Sequence, residues 1–78
     1  TVKYHIPQHG IYMYARTNSG KTELIVLNST DAEQVVANDH YRIMTNDSKS
    51  GKELISGKKI DLTKNMTVGA RQSLIIEL

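Results

Sequence analysis

The chain of 78 residues has no cysteine, no tryptophan, no phenylalanine and a single proline. Without cysteine, neither a disulfide framework nor a thiolate zinc site can hold the fold. That absence suits a cytosolic protein and a bacterial envelope protein equally, so it fixes no compartment. Without Trp and Phe, the core must come from aliphatic side chains and the four tyrosines. No apolar run nears the ~20 residues that span a bilayer as a helix, so no membrane span is expected. No signal-peptide pattern opens the chain. Strong charge is also lacking: ten Lys and Arg against eight Asp and Glu leave a net +2. Lys58-Lys59 is the only adjacent basic pair. Nucleic-acid-binding domains gather Lys and Arg on one face or stretch, so no nucleic-acid partner is expected. This length makes one domain. It buries roughly 60–65% of the surface its unfolded form exposes, with stability on the order of 4–12 kcal/mol.

What is present is alternation. In the last nine residues, Leu74, Ile76 and Leu78 share one face of a strand, and Ser73, Ile75 and Glu77 share the other. So apolar a terminal strand must be paired inside a sheet. Near the other end, Val2, Tyr4 and Ile6 alternate with polar residues, and Pro7 ends pairing or confines that strand to an edge. Gln8-His9-Gly10 forms a turn. In Gly10 to Thr17, Ile11, Met13 and Ala15 make an inward aliphatic face, and Tyr12, Tyr14 and Arg16 make the other. Asn18-Ser19-Gly20 is a hairpin signal. The run Leu24 to Leu27 predicts a central strand covered on both sides.

Further along, Asn28-Ser29-Thr30-Asp31 is a dense turn cluster. Glu33 to Ala37 reads as a short strand. Residues 38–44 admit one helical turn, capped by Asn38 or Asp39. Thr45 to Gly51 is polar, loop-like and expected to be mobile. Lys52 to Ile55 and Lys59 to Leu62 flank Ser56-Gly57-Lys58 as a second hairpin. Asn65 to Val68 is a further strand, and Gly69-Ala70 turns into the last one. The reading is all-β: an antiparallel two-sheet β-sandwich of Greek-key type with seven to eight short strands.

Chemistry-bearing patterns are weak. Gly20-Lys21-Thr22 resembles the end of a phosphate loop, but that motif needs Gly at the position of Ala15 and a helix afterwards. His5 and His9 are four apart, yet Pro7 lies between them on a strand. His40 completes no ligand spacing, so no metal and no cofactor is expected. Asp31 and Glu33 sit in a polar turn, with no apolar pocket to raise a pKa. No Gly-x-Ser-x-Gly elbow accompanies the Ser, His and Asp residues. Asn28-Ser29-Thr30 and Asn65-Met66-Thr67 match the glycosylation pattern, but Asn28 has a turn role and glycans are not expected. No catalytic residue stands out. The residues that bear weight are Tyr12, Tyr14 and Arg16. They form an amphipathic patch suited to packing, on the second half of the sandwich or between domains, with sugar contact as the alternative.

The string from Ile6 to Arg16 resembles the opening of the C-terminal domain of cyclomaltodextrinase and neopullulanase-like α-amylases, bacterial family 13 glycoside hydrolases. The resemblance continues through Leu24 to Asn28, Ser50 to Leu54, Gly57 to Leu62 and Ala70 to Leu78. It covers nearly the whole chain in one order. One departure is Val68-Gly69, where that family often carries a proline before Ala-Arg. The resemblance implies a β-sandwich appended after a TIM-barrel catalytic domain, with the carboxylates that cleave α-1,4-glucosidic bonds in the barrel. No catalytic residue transfers onto this chain. The partners implied are that barrel and, as an alternative, α-glucan; the parent's compartment would be periplasm or cytoplasm. The start at Thr1 without Met and the closing apolar strand agree with that expectation. Residues 1–78 are then a single C-terminal accessory domain of a larger enzyme.

Overall fold

The computed structural model describes residues 2–45 and 48–78. Among them are eight strands and one helix, in the order β1 (Val2–Gln8), β2 (Ile11–Asn18), β3 (Lys21–Asn28), β4 (Gln34–Val36), α1 (Asn38–Thr45), β5 (Ser50–Glu53), β6 (Lys59–Asp61), β7 (Met66–Val68) and β8 (Ser73–Glu77). The chain is an antiparallel all-β sandwich with unequal layers. One sheet has six strands in the order β1-β2-β3-β8-β5-β6, and the other pairs β4 with β7.

Alternation places the core. Ile11, Met13 and Ala15 of β2, Leu24 and Val26 of β3, and Leu74 and Ile76 of β8 turn to one face of the large sheet, all buried. The second layer meets them with Val36, Met66 and Val68 from β4 and β7, with Tyr41 and Met44 from α1, and with Leu62. Tyr41 is fully buried, and its hydroxyl donates to the Lys64 carbonyl. Its position satisfies the polar tip while the ring fills the core. The expected β2–β3 hairpin forms: Ser19 and Gly20 both have positive φ, 53° and 80°, as the favoured two-residue turn of a right-twisted hairpin requires. The second hairpin, β5–β6, also forms. Pro7 lies on edge strand β1, where pairing with β2 shifts register between His5 and Gln8.

Three local readings are corrected. The Leu24 to Leu27 strand is central, but its outer face is covered only in part: Ile25 is buried there, whereas Leu27 is 38% exposed. Asn38 does not cap α1. Its side-chain amide donates to the Leu62 carbonyl at 2.8 Å and ties the helix to the segment before β7. The helix spans eight residues, Asn38–Thr45, longer than a single turn because Tyr41 and Met44 gain a core to pack into. In the segment read as a mobile loop, Asn46 and Asp47 lie outside the described residues, while Ser50 and Gly51 belong to β5.

Gly51 is needed for close packing. A Cβ there would lie 2.5 Å from Cγ2 of Ile76 and 3.0 Å from the Glu77 carbonyl oxygen. Ile76 is fully buried and cannot swing away. Gly51→Ala is expected to lower stability by about 1–3 kcal/mol, the range for overpacking. It should appear as a lower urea midpoint with an unchanged m value.

Candidate functional site

The pairing that turns the aliphatic residues inward turns a second set outward. In β2, Tyr12, Tyr14 and Arg16 all point away from the core, as their alternation requires. The registers then extend this patch across the sheet. Tyr14 stands opposite Tyr4 on one side and Ile25 on the other, and Ile25 stands opposite Ile75. Leu54 continues the row, its backbone N–H donating to the Ile75 carbonyl at 2.8 Å. This apolar ladder crosses four strands, β1, β2, β3 and β8, and ends on Leu54, one residue past β5. A parallel row holds Tyr12 opposite Leu27, with Ile6 and Pro7 together facing Tyr12 across the β1 irregularity. Tyr4 and Tyr14 meet with ring centroids 6.1 Å apart and planes tilted by 36°, an arrangement worth roughly 0.5–1.5 kcal/mol beyond area burial.

Beside the ladder runs a charged row. Arg16 stands opposite Glu23, Glu23 opposite Glu77, and Glu77 opposite Lys52. Arg16 Nη2 donates to Glu23 Oε1 at 3.2 Å. Both groups are partly solvated, so the pair contributes at most about 1 kcal/mol. The sandwich is thus closed on one face of its large sheet and open on the other, where Tyr4 is 81% and Tyr12 46% exposed. Tyr12, Tyr14 and Arg16 lie on this open face, so no second half of the core lies over them among the described residues. Sequence reasoning missed Ile25, Ile75 and Leu54 as members of the patch. Alternation gives faces within one strand, whereas their alignment depends on register between strands distant in sequence.

The remaining candidates have structural partners. Gly20-Lys21-Thr22 spans the β2–β3 turn and leads into a strand. His5 is on the inner side of β1, where Nε2 donates to the His40 carbonyl at 2.6 Å and holds the edge strand to α1. Asp31 Oδ1 accepts from Arg71 Nε at 2.7 Å, and Glu33 is exposed. Among the described residues, no three His, Cys, Asp or Glu side chains converge as metal ligands.

Two buried polar residues organise the ends of the sandwich. Asn28 is 4% exposed. Its Nδ2 faces the carbonyls of Ala32, Val68 and Gly69 at 2.9, 3.1 and 3.0 Å. Its Oδ1 accepts from the Thr30 N–H at 2.9 Å and the Thr30 hydroxyl at 2.7 Å. The amide is therefore closed to glycosylation in the folded chain. Next to it, Gln72 Oε1 accepts the Gly69 N–H at 2.7 Å; this bond uses a donor that proline at that position would lack. Glu53, 4% exposed at the end of β5, accepts the N–H groups of Ser56 at 2.7 Å and Ile75 at 3.0 Å. Those bonds, the one from Ile75 foremost, hold its pKa down to about 2. Asp61 is also lowered, by the hydroxyl and N–H of Thr63. Both carboxylates remain ionised at neutral pH and are already committed to the protein's own donors.

The geometry thus offers a broad apolar face on one side of the large sheet, while the buried Glu53 carboxylate is engaged by the protein's own donors. The same fold occurs in the crystal structure of alpha-galactosidase I from Mortierella vinacea, with a TM-score of 0.61 at 13% sequence identity. The likeness covers 97% of this chain and 22% of that one, so the chain spans less than a quarter of the protein it matches. Residues 2–77 match the cyclo-malto-dextrinase C-terminal domain family, and the chain belongs to it.

Proposed function

We propose that this chain is the non-catalytic C-terminal accessory domain of a bacterial α-glucan hydrolase of the cyclomaltodextrinase, neopullulanase or α-amylase type. Its work is to pack on the TIM-barrel catalytic domain of the same parent and stabilise it. The observation that carries the reading is the uncovered face of the six-stranded sheet, where Tyr4, Ile6, Tyr12, Leu27 and Leu54 stay exposed. An apolar patch of that extent on one face marks an interaction surface. Family membership supports a hydrolase parent. Catalysis by α-glucan hydrolases needs two carboxylates flanking the scissile bond, and this reading assigns them to the barrel.

The test is removal of residues 1–78 from the parent enzyme. The expected result is a lower unfolding temperature and a shorter half-life on heating, with the cleavage pattern on maltodextrin unchanged. Hydrolysis of maltodextrin by the 78-residue chain itself would overturn the proposal, as would an unchanged unfolding temperature of the truncated parent.

A second reading, contact with α-glucan through Tyr12, Tyr14 and Arg16, draws on the exposure of Tyr4 and Tyr12. Tyr14 is tilted 36° from Tyr4, so those two rings do not make one flat platform. Titration of the isolated chain with maltoheptaose decides the matter. No amide shifts are expected near Tyr12 and Tyr14 at millimolar sugar, and saturable shifts there would favour the binding module.

A further inference from the structure

We infer that Asn18, at the tip of the β2–β3 hairpin, is a site of spontaneous deamidation in the folded chain, and that the fold protects Asn28 from the same reaction. Asparagine is among the chemically labile residues. Its side-chain carbonyl carbon is attacked by the backbone nitrogen of the next residue, and a small following side chain leaves that approach open. The chain holds two Asn-Ser pairs, Asn18-Ser19 and Asn28-Ser29. Their local chemistry is alike, so their different fates come from the structure around them.

At Asn28 both reacting groups are held. The side chain is buried and bonded to Ala32, Val68, Gly69 and Thr30. The nucleophile is engaged as well: the Ser29 N–H donates to the Gly10 carbonyl at 2.9 Å. Attack would have to break that bond and turn the amide out of its five contacts. At Asn18 neither restraint exists. Asn18 and Ser19 are both exposed. The β2–β3 ladder ends at the pair Asn18 and Lys21, which leaves the Ser19 N–H in the turn and outside the ladder. The Ser19 hydroxyl donates to Asn18 Oδ1 at 3.4 Å, a long contact that leaves the amide free to rotate. Asn18 must leave its extended backbone for the Ser19 nitrogen to reach it, and the last pair of a hairpin is among the first to open. The reaction needs only water. The Ser19 nitrogen bonds to Asn18 Cγ, the Cγ–Nδ2 bond breaks, and ammonia leaves with the Ser19 proton as a succinimide ring closes. Water then opens the ring at either carbonyl, giving aspartate or isoaspartate without oxidation or reduction. Either product puts a carboxylate opposite Lys21. Isoaspartate also adds a methylene to the main chain beside a turn whose two residues hold φ of 53° and 80°, so the hairpin carries a mark of the molecule's age.

The experiment ages the 78-residue chain in mildly alkaline buffer, with and without concentrated guanidinium chloride. Circular dichroism confirms that the sample without denaturant stays folded. Peptide mapping by mass spectrometry follows the conversion of each asparagine, and an isoaspartyl methyltransferase labels the isoaspartate formed at each site. In the folded chain Asn18 is expected to convert at least roughly tenfold faster than Asn28, since Asn28 reacts only through a larger opening of the structure. In denaturant the two rates should come within about threefold of each other, because the unfolded chain presents both pairs alike. Isoaspartyl label in the folded sample should sit on the peptide with Asn18 and be missing from the one with Asn28. Conversion of the two residues at similar rates in the folded chain would overturn the inference, as would faster conversion of Asn28. A ratio as large in denaturant as in buffer would also overturn it, by placing the cause in neighbouring residues and not in the fold.

Discussion

Asn28→Asp is expected to remove a large part of this domain's stability at pH 7. The wild-type amide turns Nδ2 toward three carbonyl oxygens, of Ala32, Val68 and Gly69, all within 3.1 Å. A carboxylate places an anionic oxygen where that donor was, against three acceptors and away from water. Leaving such groups unsatisfied costs roughly 1–3 kcal/mol each. The sum, on the order of 4 kcal/mol even after relaxation, is comparable to the stability of a domain this small. The site also links three segments. It closes the 28–34 turn, meets the end of β7, and adjoins the backbone bond from the Asn28 N–H to the Gln72 carbonyl, 3.0 Å long. Urea titration should show a far lower midpoint, and far-ultraviolet circular dichroism should show the β signal lost at a much lower temperature than in the wild type. The pH dependence provides a second check. Burial among carbonyls raises the folded-state pKa of the new carboxyl above its unfolded value of ~3.9. The folded variant therefore binds more protons than the unfolded one, and its stability falls as pH rises through that window. It should be less unstable at pH 4 than at pH 7.

Glu53→Gln is expected to produce the opposite pH signature. In the wild type the carboxylate accepts backbone N–H groups from Ser56 and Ile75, and its pKa is held near 2 against an ordinary 4.5. Between those values the unfolded chain binds more protons than the folded one. The contribution is thus fully present above pH 4.5 and is lost as pH falls toward 2. Asp61, lowered by Thr63, acts in the same direction. Glutamine keeps the size but presents an amide donor to one of two N–H groups, and it cannot titrate. The gap in melting temperature between wild type and variant should be widest at pH 7 and close steadily as pH falls from 4.5 to 2. A gap that is constant with pH would show that the Glu53 carboxylate does not hold β8 to the β5–β6 turn.

The two residues differ in how far they could be read in advance. Asn28 closes an apolar strand and opens a cluster of turn-forming residues, and that position already implies a side chain bonded to nearby backbone. Its reach to Val68 and Gly69, forty residues on, has no local signal. Glu53 has less still. It sits in a charged, strand-length stretch, and only the arrival of Ile75 N–H beside it reveals why an ionised group is buried there. The same limit applies to the open face. Alternation in Gly10 to Thr17 correctly separated Ile11, Met13 and Ala15 from Tyr12, Tyr14 and Arg16. It could not say that the second set lies uncovered, because period two distinguishes faces without saying what lies over each. The apolar run Leu24 to Leu27 shows the same ambiguity: two of its side chains enter the core and Leu27 faces outward. The turn chemistry, by contrast, was local and legible, as in Asn18-Ser19-Gly20 with its two positive φ angles.

The position of β8 has a further consequence. It is last in chain order among the eight strands, yet it lies between β3 and β5 in the large sheet. Without it, the large sheet divides into β1-β2-β3 and the β5–β6 hairpin, with no strand to bridge them. Assembly must therefore wait for Ser73 to Glu77, making the domain a late and cooperative folder, dependent on a strand that closes contacts some fifty residues apart in sequence. During that wait the exposed rims of both fragments are where a chaperone has most to guard.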